Sequence, residues 1–206
     1  MSPQLEPRRI ADDVFEFTVE SSRAAQALAA ELRSLNAAEE VVAGLKTVSV
    51  RFDPIDLAKM EQALATIDHA IVTPSNKIET VDLAIQYGGK FGPDLRMICE
   101  ATNLSEVAFI ELHTQCLHTV EMIGFTPGFA YISGLPESFA IPRLNTPRSR
   151  VAAGSVGVSS DFTGIYALAG PGGWPLIGRV QNQLFDPESD TPFLLSPGQR
   201  VRFKAV

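Results

Sequence analysis

The chain has 206 residues, 45% of them hydrophobic and 20% charged, with a formal net charge of −7. That acidic balance excludes a basic phosphate-binding face as the dominant surface, and with it nucleic acid as the main partner. No apolar run reaches the roughly 18–20 residues of a membrane span, and the N-terminus MSPQLEPRRIADD lacks the apolar stretch of a secretory signal. Cys99 and Cys116 suit buried thiols in a reducing cytoplasm, where the protein is expected to reside.

Residues 1–80 hold thirteen acidic and eight basic residues but a single glycine. Phe15, Phe17 and Val19 alternate with polar neighbours and predict a half-buried strand. Ser21 and Ser22 then cap a helix running to about Asn36, whose Leu28, Leu32 and Leu35 share a face. Val48, Val50 and Phe52 predict a second strand. Asp53-Pro54 ends it and starts a helix with Leu57, Met60, Leu64 and Ile67 as its buried stripe. His69, just beyond, reads as surface. Val81, Leu83 and Ile85 alternate again, so the order β-α-β-α-β describes a compact α+β unit.

Over 88–123 the pattern is mixed. GGKFGP forms a turn, and Pro93 precedes a short helix with Leu95, Ile98 and Cys99 on one face. Ser105 caps a second helix that ends near His113. Beyond Val120, short apolar pieces separated by Gly/Pro turns every eight to twelve residues predict a small barrel or sandwich. Residues 199–204 alternate as a final strand. Ten of the fifteen glycines and six of the fourteen prolines fall between Glu121 and Val180. Such a stretch bends repeatedly, and it carries Phe125, Phe129, Tyr131, Tyr166 and Trp174.

Several familiar chemistries have no motif here. There is no G-x-x-x-x-G-K-[ST] loop, no G-x-G-x-x-G and no Cys/His cluster with zinc spacing. His113 and His118, five apart, would sit about 140° apart on a helix and so not share a metal. Ala153-Gly154-Ser155-Val156-Gly157 resembles a nucleophile elbow without its first glycine; a serine in a tight turn is the plainer reading. Arg143, Arg148, Arg150 and Arg179 lie among few acids. They fit a carboxylate or phosphate site beside glycine N–H groups, or else a merely soluble surface. Pro171-Gly172-Gly173-Trp174 offers either a stacking face or a core tryptophan. His113 is either a general acid or base, or a residue favoured by a helix C-terminus.

The order of these pieces resembles a known family. Gly124-Phe125, Pro127-Gly128-Phe129-Ala130-Tyr131, Pro142-Arg143, Pro147-Arg148, Ala153-Gly154-Ser155-Val156, Thr163-Gly164-Ile165-Tyr166, Pro171-Gly172-Gly173-Trp174 and Ile177-Gly178-Arg179 recur in it. So do Phe52-Asp53-Pro54, Tyr87-Gly88-Gly89, Gly92-Pro93-Asp94-Leu95, His113-Thr114 and Leu184-Phe185-Asp186. The pattern is similar to the family of the B-type subunit of 5-oxoprolinase, also labelled allophanate hydrolase subunit 1 or sporulation-kinase inhibitor, a carboxyltransferase-type domain. The resemblance is strong over 85–206 and weak over the first 45 residues. Departures are Lys90-Phe91 where an acid and a tyrosine are usual, His118 near a usual tyrosine, and Gly198-Gln199 for Gly-Asp.

The resemblance implies an α+β fold: a small α+β (ferredoxin-like) domain over 1–80, then a cyclophilin-like β-barrel over 81–206. It implies one subunit of a heteromeric, ATP-dependent 5-oxoprolinase, inactive alone and completed by a homologous second subunit and a third, lactam-hydrolase subunit. The alternatives are a urea-carboxylase-type carboxyltransferase half using biotin, or an inhibitor of a histidine kinase. His113 and Ser155 are the expected catalytic residues, with no metal. Phe125, Pro127, Gly128, Phe129, Arg143, Arg148, Gly154, Tyr166, Pro171, Gly172, Gly173, Trp174 and Arg179 are the expected ligand contacts. His113, Arg143, Arg148, Ser155 and the Pro171–Trp174 turn are expected on one cleft wall, with glycine N–H groups holding an oxyanion.

Overall fold

The computed structural model describes residues 6–35, 37–67, 79–139 and 141–206, so the reading of His69 lies outside the described residues. The chain divides into two compact units, Met1–Lys77 and Ile78–Val206.

The first unit is built on a four-stranded antiparallel sheet, β1 (Arg8–Ala11), β2 (Val14–Thr18), β3 (Glu40–Ala43) and β4 (Thr47–Arg51), in the order β1-β2-β4-β3. Phe15 and Phe17 of β2 lie opposite Val50 and Val48 of β4, which turns the alternation of both strands toward one core. Each such fully buried side chain contributes about 1.5–3 kcal/mol relative to exposure. Helix α1 (Ser22–Ser34) starts where Ser21 accepts the Ala24 N–H, and it buries Leu28 and Leu32. Asp53 accepts the Ile55 N–H, and a single 3-10 turn at Pro54–Asp56 leads into α2 (Leu57–Leu64), which buries Met60 and Leu64.

Strand order and pairing match a ferredoxin-like sheet except at one edge. There the strand beside β2 comes from an N-terminal hairpin, not from a strand after the second helix. The strand expected in that place, β5 (Thr80–Tyr87), belongs to the second unit. Its alternation is real, with Leu83 and Ile85 fully buried, but its neighbours are two strands far along the chain.

The second unit is a closed seven-stranded barrel. After β5 come α3 (Leu95–Thr102), α4 (Glu106–Gln115), β6 (His118–Ile123), β7 (Ala130–Ser133), β8 (Arg148–Val151), β9 (Ser155–Ser159), β10 (Phe162–Ile165), β11 (Gly170–Gly172), β12 (Leu176–Val180) and β13 (Arg200–Ala205). The barrel runs β10-β7-β6-β13-β5-β12-β9 and closes on itself, leaving β8 and β11 as a separate two-stranded antiparallel sheet. All barrel pairings are antiparallel except β5 with β13. Closure removes the exposed edges that an open sheet of this size must protect.

The interior is filled by Leu83, Ile85, Val120, Ile132, Val156, Val158, Ile165, Ile177 and Phe203, with Ile98 of α3 and Phe109 of α4 packed on it. Ser105 caps α4 by accepting the Ala108 N–H at 3.1 Å. Asp94, at the N-terminus of α3, makes no such cap because its carboxylate is engaged elsewhere. Among the described residues no helix is long and apolar enough to cross a membrane.

Candidate functional site

Phe109 and His113 are four residues apart on α4, hence on one stripe, and that stripe packs toward β13. His113 is completely buried. Tyr87 Oη lies 2.6 Å from its Nδ1 and Thr163 Oγ1 lies 3.1 Å from its Nε2. Burial pushes the Tyr87 phenol's pKa up, so the phenol stays neutral and donates to Nδ1. The remaining Nε2–H then donates to Thr163, a tautomer assigned from these partners. His118 opens β6 and donates Nε2–H to the His113 carbonyl at 2.7 Å. The two imidazoles lie 4.8 Å apart, with Phe203 at 4.6 and 5.0 Å from them.

This placement corrects two expectations. His113 does not stand on a cleft wall; it plugs the barrel interior, both ring nitrogens occupied by hydroxyls. His118 is not on the helix, and the two rings are neighbours, but their nitrogens face Tyr87, Thr163 and backbone carbonyls instead of a shared metal position.

Burial lowers the pKa of both histidines, that of His113 well below its ordinary value, with the neighbouring imidazole adding to the shift. The unfolded chain therefore binds protons that the folded chain does not once pH falls below about 6.5. Stability is fully present above that value and declines as pH falls toward the folded-state pKa, by up to about 1.4 kcal/mol per pH unit for each histidine. Urea midpoints measured from about pH 7.5 down to about pH 5 are expected to fall, and the slope to shrink in His118→Asn.

A second group of expected site residues forms an aromatic cluster. Phe129 is buried at its centre, edge-on to Tyr131, Tyr166 and Trp174 at 4.8, 5.0 and 5.8 Å, with Phe125 at 5.5 Å. Tyr166 and Trp174 are buried, at 2% and 7% exposure, so the tryptophan is a core residue and not a stacking face. Gly164 makes room for it: a Cβ there would stand 2.7 Å from Trp174 and 2.8 Å from Phe129. Gly128 fits against Ala167 and Phe185, Gly172 against the Tyr166 ring, and Gly173 beside Pro147. Phe125, Pro127 and Pro171 are exposed.

The arginines converge only in part: burial pushes the Tyr166 phenol's pKa up, and Arg143 and Arg148 both oppose that shift, with Arg143 acting on Tyr131 as well, while Arg179 lines a different cleft. Arg148 is paired with Asp94 at 2.8 Å, and the other Asp94 oxygen accepts the Leu176 N–H at 2.6 Å. That clamp ties the start of α3 to β8 and β12. Arg143 is exposed in a groove lined also by Glu137, Pro142, Ser159, Ser160 and Asp161. Arg150 is exposed on β8. Ser155 is buried, and among the described residues both imidazoles, His113 and His118, are engaged elsewhere. The Gly154 N–H donates to the Tyr166 carbonyl at 2.7 Å and is not available to an oxyanion.

What remains together is Gly154 and Arg179. They line a cleft of about 410 Å³ with Gln86, Phe91, Ala153, Ala167 and the run Gln181-Asn182-Gln183-Leu184. Arg179 on β12 is the register partner of Gln86 on β5, so the two side chains leave the same face of the sheet. Its guanidinium carbon lies 6.0 Å from the Phe91 ring centre. The carboxamides were not among the expected contacts. Two signals pointed to them: Gln86 alternates outward from buried Leu83 and Ile85, and three carboxamides follow Arg179 in a row.

Residues 10–195 match the family model described as carboxyltransferase domain, subdomain C and D. The B-type subunit of 5-oxoprolinase from Escherichia coli O157:H7 is 47% identical over 123 residues, covering 60% of this chain and 56% of that protein. The B-type subunit of 5-oxoprolinase from Haemophilus influenzae is 35% identical over 187 residues, covering 90% of this chain and 88% of that protein. The crystal structure of TTHA0988 superposes with a TM-score of 0.79 at 31% identity, covering 94% of this chain and 40% of the other. The chain thus spans little more than half of the first relative and two-fifths of TTHA0988.

Proposed function

The chain belongs to the carboxyltransferase-domain family of subdomains C and D, and from that membership we propose that it works as one subunit of a heteromeric, ATP-dependent 5-oxoprolinase that opens 5-oxo-L-proline to L-glutamate. The observation that carries this reading is the similarity to the Haemophilus influenzae protein along nearly the full length of both chains. The partners are a homologous second subunit and a third, lactam-hydrolase subunit, and the chain turns over nothing alone.

ATP enters as a reactant of the complex, because a lactam carbonyl is a poor electrophile. Among the described residues there is no cluster of free cations for a triphosphate: Arg148 is paired with Asp94, Arg143 shares its groove with Glu137 and Asp161, and Arg179 stands alone in its cleft. We therefore assign nucleotide binding to a partner and route no step through ATP here. With His113 sealed in the barrel and Ser155 buried, this chain's part is to bind and orient.

The test is coexpression with both partners, purification of the assembly, and assay of glutamate release from 5-oxoproline. Release is expected only with all three chains and ATP; a stable, complete assembly that releases none overturns the reading. The family description, a carboxyltransferase domain, supports a second reading, carboxyl transfer, for which we propose biotin as the carrier. Carboxyl transfer from carboxybiotin by the same assembly, without lactam hydrolysis, would establish that instead.

A further inference from the structure

From the residues around Arg179 we infer that the cleft lined by Gln86 of β5, Arg179 of β12 and the loops beside them binds a small cyclic amide bearing a carboxylate, held by Arg179 at the carboxylate and by side-chain carboxamides at the ring amide. The inference rests on the 5-oxoprolinase reading for the identity of that ligand, 5-oxo-L-proline, but the site itself stands on the geometry of this chain.

The cleft differs in kind from the groove that holds Arg143. No acid lines it, so the Arg179 charge is not cancelled, and among the described residues Arg179 has no ion-pair partner. Its volume, about 410 Å³, lies in the range of small-molecule sites. Gly154, at φ +81°, makes the approach possible: a Cβ there would stand 2.5 Å from the Val180 carbonyl oxygen and 3.4 Å from Arg179 Cγ. Glycine thus lets the arginine stem lie flat against the chain before its fork enters the cleft. A guanidinium presents paired N–H donors that match a carboxylate bidentately.

The amide end is recognised by different groups. Gln86 projects beside Arg179 from the neighbouring strand, and Gln181 and Asn182 follow β12. Among the described residues none of these three carboxamides has a side-chain hydrogen bond, so their donors and acceptors are available. A lactam holds its amide cis, with N–H and C=O side by side. A primary carboxamide offers the complementary pair, accepting from the ring N–H and donating to the ring carbonyl. The opened product instead carries an ammonium, which Arg179 repels. The site so described favours the closed ring over glutamate.

The experiment is calorimetric titration of the full chain with 5-oxo-L-proline, with its ring-oxygen analogue 5-oxotetrahydrofuran-2-carboxylate, and with L-proline. The lactam is expected to bind, and loss of the ring N–H or its replacement by an ammonium to weaken binding by about tenfold or more. Arg179→Ala should weaken lactam binding by about tenfold or more, with partial recovery in Arg179→Lys. Gln86→Leu should remove the preference for lactam over ring-oxygen analogue, and Arg96→Ala, on the exposed face of α3, should change nothing. Thermal midpoints check that each variant is folded. In the complete assembly, Arg179→Lys and Gln86→Leu should raise KM more than they lower kcat. A chain that binds no lactam, together with an active assembly whose KM is unmoved by these variants, overturns the site and leaves the function standing. Arg179-dependent lactam binding in an assembly that releases no glutamate overturns the function and leaves the site standing.

Discussion

Replacing His113 by alanine is expected to lower the stability of the barrel by about 3 kcal/mol or more, before any effect on chemistry is considered. Two losses add. The imidazole is fully buried among Phe109, His118 and Phe203, so its removal leaves a cavity in a close-packed interior. It also strands the Tyr87 and Thr163 hydroxyls, which lose their partner without gaining water. Tyr87→Phe and Thr163→Val are milder, each costing about 1–2 kcal/mol, because each deletes a hydroxyl and not the plug. Trp174, the only tryptophan, is buried in the same barrel and reports unfolding by fluorescence. Thermal melts should show the midpoint of His113→Ala reduced by roughly 10 °C. A wild-type midpoint combined with lost turnover in the assembly would return His113 to a catalytic role.

His113 reads as catalytic from sequence and is structural in three dimensions, for a physical reason. It lies near a glycine-rich stretch and within reach of the resemblance, both of which suggest chemistry. Its spacing from Phe109 on a helix capped by Ser105 carried the opposite message, since a residue four positions from a buried phenylalanine shares its stripe. Local pattern was legible wherever one face of an element is buried and the other wet. β2, β4, α1, α3 and α4 all have that property.

It was not legible where that contrast is missing. β1 is exposed along its whole length and β3 is an edge strand with exposed positions, so neither alternates clearly. β8 and β11 are short and built partly from Gly170, Pro171 and Gly172. β5 was visible as a strand, but its parallel partner β13 begins 120 residues later, at Arg200 against Thr80. No local pattern encodes so distant a pairing.

The same limit governed the candidate site. Arg143, Arg148 and Arg179 are close in sequence, yet one shares a groove with acids, one is locked to Asp94, and one enters an acid-free cleft. Charge clustering along the chain says nothing about which side of a barrel each residue leaves. Register does: Arg179 meets Gln86 because β12 pairs with β5, so the sequence shows that Gln86 faces outward but not which residue stands beside it.

Gly92 joins the barrel to that cleft, and Gly92→Ala is expected to be the most damaging single methyl in the second unit. A Cβ at Gly92 would run into the Ile177 carbonyl and stand 2.7 Å from the Gly88 nitrogen, all backbone atoms with no rotamer to change. The surrounding turn is fixed by Gly88 N–H donating to Ile177 O at 2.9 Å and Asp94 N–H donating to Leu176 O at 3.1 Å. To admit the methyl, the turn must lift from β12. That movement breaks those bonds, pulls Asp94 from Arg148, and carries Phe91 out of the cleft wall. Overpacking of side chains costs about 1–3 kcal/mol, and a clash against two segments of backbone belongs at or above the top of that range. Gly89 supplies the control. It lies three residues away at φ +52°, with nothing within 4 Å of an added Cβ, so Gly89→Ala pays only for a left-handed backbone, about 1 kcal/mol. Chemical denaturation should therefore separate the two alanines by about 2 kcal/mol or more. In a Gly92→Ala protein that still folds, lactam binding should weaken together with stability, whereas in Gly89→Ala it should not. Equal midpoints for the two variants would mean that the turn can leave β12 without cost, and that the cleft wall does not depend on it.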